Sequence, residues 1–134
     1  MIYALDGSAL LAFLRDEPGA AMVESLLLDA GNTCFAHAVN LCEVFYDYYR
    51  AGGEAAAQDA LARLVAASVR PRADMDPAFW QQVGRHKAMY RPIAIADCFC
   101  IALAQRLGGE VVTSDHREFD PLVPLGLCPI RFIR

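Results

Sequence analysis

Short apolar segments alternate with longer segments of helical character along this 134-residue chain, and that alternation restricts the folds it can adopt. The predicted strands cover residues 2–5, 33–36, 68–72, 110–113 and 130–133. The first predicted helix begins after Ser8. Further helices are predicted over approximately residues 18–29, 38–50, 54–67, 76–90 and 95–107. Apolar strands that are each separated from the next by a helix are typical of a parallel sheet covered on both faces. The sequence therefore predicts an α/β fold with a central, mostly parallel sheet of four to five strands.

Local residue types predict where several of these helices begin and end. Ser8 precedes an apolar helical segment and is the predicted N-cap of the first helix. Pro18 is suited to the first turn of the second helix, and Gly52-Gly53 is predicted to separate the third helix from the fourth. The segment before the last strand is punctuated by proline and glycine, which predicts an irregular connection there.

The composition is that of one compact domain comprising residues 1–134. Hydrophobic residues make up 56% of the chain and charged residues 21%, which is enough apolar material for a sizeable core. The longest apolar stretch, residues 93–104, is interrupted by Asp97 and is too short to span a bilayer. Residues 1–14 lack the basic leading segment of a signal peptide. We therefore expect a cytoplasmic protein without membrane contact.

The cysteine content and the net charge further restrict the classes of protein to which this chain can belong. The five cysteines are odd in number and show no CxxC spacing, which indicates thiols in a reducing compartment rather than a disulfide framework. Cys98 and Cys100 are two residues apart on a predicted helix, so they point to different faces and make a poor metal-binding pair. The net charge of -4 argues against binding nucleic acid through a general positive field, but it is compatible with a local basic rim around an acidic site.

Two acidic residues follow predicted strands at their carboxyl ends, which is where open parallel sheets bind ligands. Asp6 follows the strand Ile-Tyr-Ala-Leu, and Asp115 follows the strand Val-Val-Thr-Ser. Each has an alternative interpretation, since aspartate is common in turns and in helix caps. Taken one at a time, neither residue distinguishes a ligand from a turn residue.

Two further acids interrupt apolar helices. Asp97 is the single charge in the segment 93–104, and Glu43 has apolar residues on both sides. A charge inside an apolar helix carries a desolvation cost and therefore needs a partner. For Asp97 the alternative is a helix N-cap, and for Glu43 the alternative is a buried ion pair with an arginine.

The four acids together predict a metal site. A sheet covered on both faces brings the turns after the first and fourth strands close to the starts of neighbouring helices. Four carboxylates that converge there cannot all remain ionised without a cation between them. Carboxylate oxygens favour a hard divalent ion such as Mg²⁺ or Mn²⁺. One such ion, or two about 4 Å apart, holds a phosphate oxygen and activates a water for in-line attack.

Two other classes of α/β protein also place acids at strand ends, and single residues of this sequence exclude them. A haloacid-dehalogenase-type phosphatase needs a second aspartate two residues after the first, where this chain has Ser8. A receiver domain needs a lysine at the end of a later strand, and the only lysine, Lys87, lies in a predicted helix.

Four segments of the chain, taken in order, carry a family resemblance. They are residues 5–14 around Asp6, 39–44 around Glu43, 95–99 around Asp97 and 112–115 ending at Asp115. They resemble the successive motifs of PIN domains, and the size and spacing are most similar to those of bacterial toxins of the VapC type. No single motif is highly specific, but all four in this order in so short a chain are strongly specific. The resemblance extends over essentially the whole chain.

This resemblance implies a three-layer α/β/α fold and an endoribonuclease that depends on Mg²⁺ or Mn²⁺. It implies that Asp6, Glu43, Asp97 and Asp115 hold the metal ion and its waters. It further implies hydrolysis of an RNA phosphodiester by a metal-activated water.

Three neighbouring positions have a role only through the resemblance. Ser8 corresponds to a small hydroxyl residue that helps to shape the site. Asp120 corresponds to a less regular supporting acid, and a turn aspartate before Pro121 is the alternative. Gly7 stands where relatives often carry a side chain, which is expected to loosen the first turn without removing a ligand.

The resemblance also implies three partners: an RNA substrate, a cognate antitoxin that enters the acidic cleft, and a second copy of the chain in a homodimer. The candidates for contact with the RNA backbone are Arg15, Arg85, Lys87, Arg91 and Arg117, and ordinary solvated side chains are the alternative for each. The aromatic cluster of Phe45, Tyr46, Tyr48 and Tyr49 is a candidate surface for either protein partner, with core packing as the alternative.

His37 and His116 lie near the motifs, but the metal chemistry does not require them, so surface or packing roles are expected. The alternative function from a different class is a catalytically inactive PIN-fold binding module. Retention of all four acids argues against that alternative.

Overall fold

The computed structural model describes residues 1–134 and contains five strands, six α-helices and one 3₁₀ helix. The strands are β1 (Ile2–Leu5), β2 (Thr33–His37), β3 (Val69–Arg72), β4 (Glu110–Thr113) and β5 (Ile130–Phe132). The helices are α1 (Gly7–Leu14), α2 (Ala20–Leu28), α3 (Ala38–Ala66), α4 (Pro77–Met89), α5 (Ile95–Leu107) and α6 (His116–Phe119). The 3₁₀ helix (Asp120–Leu125) lies between α6 and β5.

The five strands form one sheet in the order β3-β2-β1-β4-β5, and every neighbouring pair is parallel. The chain proceeds outward from β1 on one side of the sheet and from β4 on the other. The strand order therefore reverses between β1 and β4, and the crevice beyond their carboxyl ends is the usual ligand position in such sheets. Asp6 and Asp115 follow these two strands, so the topology places both acids at this crevice.

Two hydrophobic clusters lie on opposite faces of the sheet. Leu5 of β1 and Val112 of β4 pack in the cluster formed with α1, α2 and α3. Ala4 and Val111, one position earlier in each strand, pack in the cluster formed with α4 and α5. Successive side chains of a strand point to opposite faces, so both faces of the sheet are buried. The predicted three-layer α/β/α architecture with a parallel sheet is confirmed.

Helix α5 is the most deeply buried helix, because every residue from Ala96 to Ala104 is buried. Asp97 is the only charged residue in that buried segment. Cys98 and Cys100 are also buried there as free thiols. No helix in this structure combines the length and the hydrophobicity needed to cross a membrane.

The start of α1 differs from the prediction that Ser8 is the N-cap. The helix begins at Gly7, and Asp6 is its N-cap, with the Asp6 carboxylate accepting a hydrogen bond from the Ala9 amide at 2.9 Å. Ser8 lies in the first turn and donates to Asp6 Oδ1 at 2.7 Å. The hydroxyl therefore supports the cap rather than forming it, because the strand passes into the helix without an intervening turn.

The predicted break at Gly52-Gly53 is confirmed, because Gly53 has the non-helical angles φ 83° and ψ -168° and α3 consists of two helical segments that meet there at a kink. Two other boundaries differ from the predictions. Helix α2 begins at Ala20 after Gly19, which has φ 99°, so Pro18 precedes the helix instead of opening it. The predicted irregular connection before β5 contains α6 and the 3₁₀ helix, because the Asp115 carboxylate caps a new helical turn by accepting from the Glu118 amide at 3.0 Å.

Candidate metal centre

Asp6 is held rigidly at the end of β1. Its side chain accepts hydrogen bonds from Ser8 Oγ at 2.7 Å, from the Ala9 amide at 2.9 Å and from Thr113 Oγ1 at 2.5 Å. A carboxylate offers about four acceptor positions, so roughly one remains for a further ligand. Burial raises the pKa of Asp6 to about 6, although the three hydrogen bonds favour the charged form.

Ser8 and Thr113 also connect the ends of the two central strands. Ser8 Oγ accepts from the Ser114 amide at 3.0 Å, and Thr113 Oγ1 accepts from the Asp115 amide at 3.0 Å. The carboxyl ends of β1 and β4 are therefore fixed relative to each other. Ser8 was identified from the sequence but Thr113 was not, although a threonine at the end of an apolar strand and two residues before a candidate ligand was a usable signal.

Asp97 lies in the first turn of α5 but does not cap it. The N-cap is Ala94, and no side-chain hydrogen bond caps this helix, so the capping alternative for Asp97 is wrong. The residue is 9% exposed. Burial raises the pKa of Asp97 to about 8, and the negative charges of Asp6, Glu43, Glu118 and Asp115 raise it further, in that order of importance. All of these acids are thus close enough to interact with Asp97.

Glu43 reaches the same region from the second turn of α3. Glu43 Oε1 accepts a hydrogen bond from Asn40 Nδ2 at 3.1 Å, and the same amide nitrogen donates to the Ala96 carbonyl at 3.2 Å. Burial raises the pKa of Glu43, while the Asn40 hydrogen bond opposes that rise. No arginine pairs with Glu43, so the buried ion-pair alternative is wrong.

Gly7 leaves the space that the Glu43 carboxylate occupies. A Cβ atom at position 7 would lie 2.8 Å from Glu43 Oε1, which is closer than real contacts allow. Gly7 is buried as the first residue of α1. The missing side chain of Gly7 therefore leaves room for the carboxylate of a predicted ligand, which the sequence alone did not indicate.

Asp115 and Glu118 complete the cluster from the capped turn of α6. One carboxylate oxygen of each of Asp97, Asp115 and Glu118 lies within 4.8 Å of those of the other two. Glu118 Oε2 also accepts a hydrogen bond from the Ala94 amide at 3.0 Å, which joins α6 to the start of α5. The sequence analysis did not select Glu118, because α6 was not predicted. The Asp-x-x-Glu spacing from Asp115, which is typical of a helix start, was the available signal.

Asp120 lies outside this three-carboxylate group. Its Oδ1 is 2.8 Å from His116 Nδ1, and its side chain is 59% exposed. His116 also donates from Nε2 to the Arg134 carbonyl at 2.6 Å and stacks on Phe132. The hydrogen bonds to the Arg134 carbonyl and to Asp120 both raise the pKa of His116, and the carbonyl contributes more. Asp120 and His116 thus attach α6 to the chain terminus.

No basic side chain neutralises the five acids. The ion pairs of the molecule join other residues, as in the pairs Arg106–Asp76 and Arg72–Asp74. Asp6, Asp97 and Asp115 lie at the amino termini of α1, α5 and α6, which favour negative charge, but each such helix end contributes only about 0.3–1 kcal/mol. The cluster therefore lacks a counter-charge of its own. Its donor atoms are all hard carboxylate oxygens, which fit Mg²⁺ or Mn²⁺.

The residues proposed from the sequence for RNA contact lie in different settings. Arg15 pairs with Asp47, and Arg85 donates to Gln82 Oε1 at 3.3 Å. Lys87 Nζ donates to the carbonyls of Arg91 and Ile93 at 3.0 and 2.6 Å and so closes the turn between α4 and α5. The two remaining candidates, Arg91 and Arg117, are exposed, and Arg117 directly precedes Glu118 of the cluster.

His37 and the aromatic cluster of α3 have structural surroundings of their own. His37 is buried, caps α3 by accepting from the Val39 amide at 3.0 Å, and stacks on Phe79. Tyr46 and Tyr49 are 44% and 50% exposed, so the cluster is only partly packed into the core.

The chain belongs to the PIN domain family, because the family model matches residues 3–122. This membership confirms the prediction made from the four motifs. No curated protein sequence matches the chain significantly.

Several solved structures share its fold over nearly their whole length. A chain in the structure of VapBC2 from Rickettsia felis, bound to a DNA fragment from its promoter, is 17% identical with a TM-score of 0.77, covering 98% of each chain. A chain of VapBC-1 from nontypeable Haemophilus influenzae is 17% identical with a TM-score of 0.73, covering 99% of this chain and 98% of that one. VapC20 from Mycobacterium tuberculosis, a sarcin-ricin loop cleaving toxin, is 15% identical with a TM-score of 0.70, covering 90% and 95%.

Proposed function

We propose that this protein is an endoribonuclease that uses Mg²⁺ or Mn²⁺, and that it is the toxin of a VapBC-type toxin–antitoxin pair. The observation that carries the proposal is the convergence of Asp6, Glu43, Asp97, Asp115 and Glu118 at one crevice without any basic partner. The absence of a counter-ion is clearest at Asp97, whose pKa rises to about 8. Membership of the PIN family and the fold shared with VapBC structures support the same assignment.

The carboxylates would divide the work by position. Asp97, Asp115 and Glu118 present oxygens close enough together to hold one divalent ion. Asp6 and Glu43, whose charges act on Asp97, would orient metal-bound water or a further ion. Bound there, the ion would polarise the scissile phosphate and lower the pKa of a water molecule.

The remaining groups of the site keep these oxygens in place. Ser8 and Thr113 donate hydrogen bonds that fix the orientation of the Asp6 carboxylate at the end of β1. Asn40 holds Glu43 against the start of α5. Exposed Arg91 and Arg117 are candidates to contact the phosphates on either side of the cleaved bond, and Arg117 lies next to Glu118.

The antitoxin and homodimer assignments rest on the same likeness of fold. An antitoxin that inserts an arginine among the carboxylates would supply the missing counter-charge and compete with the metal ion. The partly exposed Tyr46 and Tyr49 are a candidate contact for an antitoxin or a second copy of the chain.

The decisive assay is cleavage of RNA by the chain purified free of any partner. We expect cleavage with Mg²⁺ or Mn²⁺, loss of cleavage with EDTA, and loss in Asp6→Asn. Asp59→Asn is a matched control, because Asp59 is exposed on α3 far along the helix from Glu43. Cleavage unaffected by EDTA and by Asp6→Asn would contradict the metal mechanism. A protein that cleaves no RNA would instead favour the inactive binding module.

A further inference from the structure

A cavity of about 340 Å³ opens beside the carboxylate cluster, between the end of α4 and the 3₁₀ helix. Its lining is mainly apolar and includes Met89, Tyr90, Ile93, Leu122 and Leu125. Ile93 and Leu122 are buried at 2% and 4% exposure, whereas Met89 and Leu125 are 68% and 49% exposed. The cavity therefore has a packed apolar floor and an apolar rim that faces solvent.

The cavity and the candidate metal centre share a wall. Glu118 lines the cavity and is also one of the three acids whose oxygens lie within 4.8 Å of one another. Its Oε2 is fixed by the Ala94 amide, which directly follows the cavity residue Ile93. A polymer with one unit bound at the carboxylates would therefore place its adjacent unit in the cavity.

The chemistry of the lining fits a nucleotide unit. Tyr90 is the aromatic side chain in the lining, and Arg117 is the basic one. Proteins bind single-stranded RNA by stacking its splayed bases on aromatic and apolar side chains, while arginine contacts the phosphates. The volume lies within the range of ordinary small-molecule pockets. An apolar slot beside a phosphate-handling centre is the arrangement that an RNA chain needs, since planar bases and phosphates alternate along it.

We propose that this cavity is a nucleobase subsite, which receives the base of a nucleotide adjacent to the scissile phosphate and stacks it on Tyr90. The proposal rests on the endoribonuclease function and names a part of its substrate site. The lining has few hydrogen-bonding groups, so the subsite selects for the presence of an unstacked base more than for its identity. Arg117 at the same cavity positions the phosphate of that nucleotide.

The first test couples Tyr90 to a single base of the substrate. A single-stranded RNA with a mapped cleavage site is compared with versions that carry an abasic residue at each position flanking the scissile bond. Loss of one particular base should lower kcat/KM by about tenfold, the usual effect of losing one stacked base. Tyr90→Ala should cause a similar loss on intact RNA and little further loss on that abasic RNA. Trp80→Ala, at an exposed aromatic residue of α4 that does not line the cavity, is the matched control.

The second test does not require activity. Nucleoside 5′-monophosphates and ribose 5-phosphate are titrated by calorimetry into the wild-type protein and into Leu125→Trp, which places a bulky ring at the exposed rim. We expect the mononucleotides to bind more tightly than ribose 5-phosphate, and we expect Leu125→Trp to remove that difference. Equal binding of mononucleotides and ribose 5-phosphate would overturn the subsite.

The outcomes separate this proposal from the function on which it rests. RNA cleavage that is equally sensitive to Tyr90→Ala on intact and abasic RNA would retain the nuclease and overturn the subsite. Base-dependent binding of mononucleotides without cleavage of any RNA would support the subsite and overturn the endoribonuclease. If Tyr90→Ala leaves cleavage unchanged and instead weakens a complex with the antitoxin, the cavity is a protein-docking site and the proposal is wrong.

Discussion

Asp97 stands at the start of the most buried helix, and its surroundings oppose the charge that metal binding would use. Burial and four neighbouring acids raise its pKa to about 8, so in the metal-free protein it carries a proton over much of the neutral range. A residue that is costly to ionise and that has no ion-pair partner is better explained by a ligand than by the stability of the fold. The burial and the neighbouring acids that destabilise the metal-free fold would also make this site bind a cation strongly.

Replacing Asp97 should therefore separate stability from function. Asparagine has nearly the same shape and cannot ionise, so Asp97→Asn removes the repulsion within the cluster. We expect the free energy of unfolding of the metal-free protein at about pH 8 to rise by on the order of 1–3 kcal/mol, while RNA cleavage is lost. Chemical denaturation with EDTA present measures the first effect. A variant less stable than the wild type at that pH would show that Asp97 serves the fold.

Gly7 is predicted to act through Glu43. In Gly7→Ala the new methyl group lies where it contacts Glu43 Oε1, so the carboxylate must move while the α1 backbone keeps its conformation. Disturbing groups that orient metal ligands commonly costs about 10–100-fold in metal affinity or activity, and we expect a loss of that size. Mn²⁺ titration followed by electron paramagnetic resonance measures the affinity.

A double-mutant comparison tests whether the effect of Gly7 passes through Glu43. In a Glu43→Gln background, Gly7→Ala should add little to the loss already caused by removing the carboxylate charge. Full additivity of the two losses would mean that Gly7 acts elsewhere.

At the scale of the elements, two glycines in helices have opposite roles. Gly53 has φ 83° at the kink of α3, a conformation that L side chains rarely adopt, whereas Gly84 lies in α4 with open space around its Cα. We expect Gly53→Ala to destabilise the protein by about 1–2 kcal/mol and Gly84→Ala to stabilise it by up to about 1 kcal/mol. Thermal unfolding measures both, and equal effects of the two substitutions would contradict the account of the kink.

The layers and strands were predictable because their signals are local and repeated. The strands β1, β2 and β4 are short and mainly apolar, and each long helix carries an apolar face, so periodicity and spacing suffice for them. The start of α1 was misplaced because Asp6 and Ser8 are both good caps, and only the hydrogen bond from the Ala9 amide to the Asp6 carboxylate shows that Asp6 caps the helix. Helix α6 was missed because its four residues lack a periodic pattern and depend on the Asp115 cap.

The same distinction applies to the site. Its four predicted acids were visible as charges at strand ends or inside apolar helices. Glu118 and Thr113 carried only short local signals and Asn40 carried none, because their contacts with the cluster depend on how α6, β4 and α3 meet in space. The distances between these elements are set by the tertiary structure, so no short segment of the sequence reveals them.

At the scale of the whole molecule, the acids should give the metal-free protein an unusual pH dependence. Asp6 and Asp97 have pKa values of about 6 and 8 when folded, above the ordinary value of 3.8, so the folded chain binds more protons than the unfolded chain. The free energy of unfolding should therefore fall as the pH rises from about 4 to 8, by a few kcal/mol.

The opposite slope is expected in acid. Arg72 and Arg106 hold the pKa of Asp74 well below its usual range, so its contribution to stability is lost only as the pH falls below the ordinary range of aspartate. Stability of the metal-free protein should thus peak near about pH 4–5. Melting temperatures measured with EDTA across this range test both slopes, and a maximum at about pH 8 would contradict the account.

We propose that the five convergent carboxylates form a divalent metal centre on which RNA cleavage depends. The most direct measurement is a Mn²⁺ titration of the partner-free protein in which bound Mn²⁺ and RNA cleavage are read from the same samples. We predict that cleavage rises in parallel with occupancy, that both are lost in Asp97→Asn and strongly reduced in Glu118→Gln, and that both persist in Asp59→Asn. Cleavage at full rate without bound Mn²⁺, or undiminished Mn²⁺ binding by Asp97→Asn, would contradict the claim.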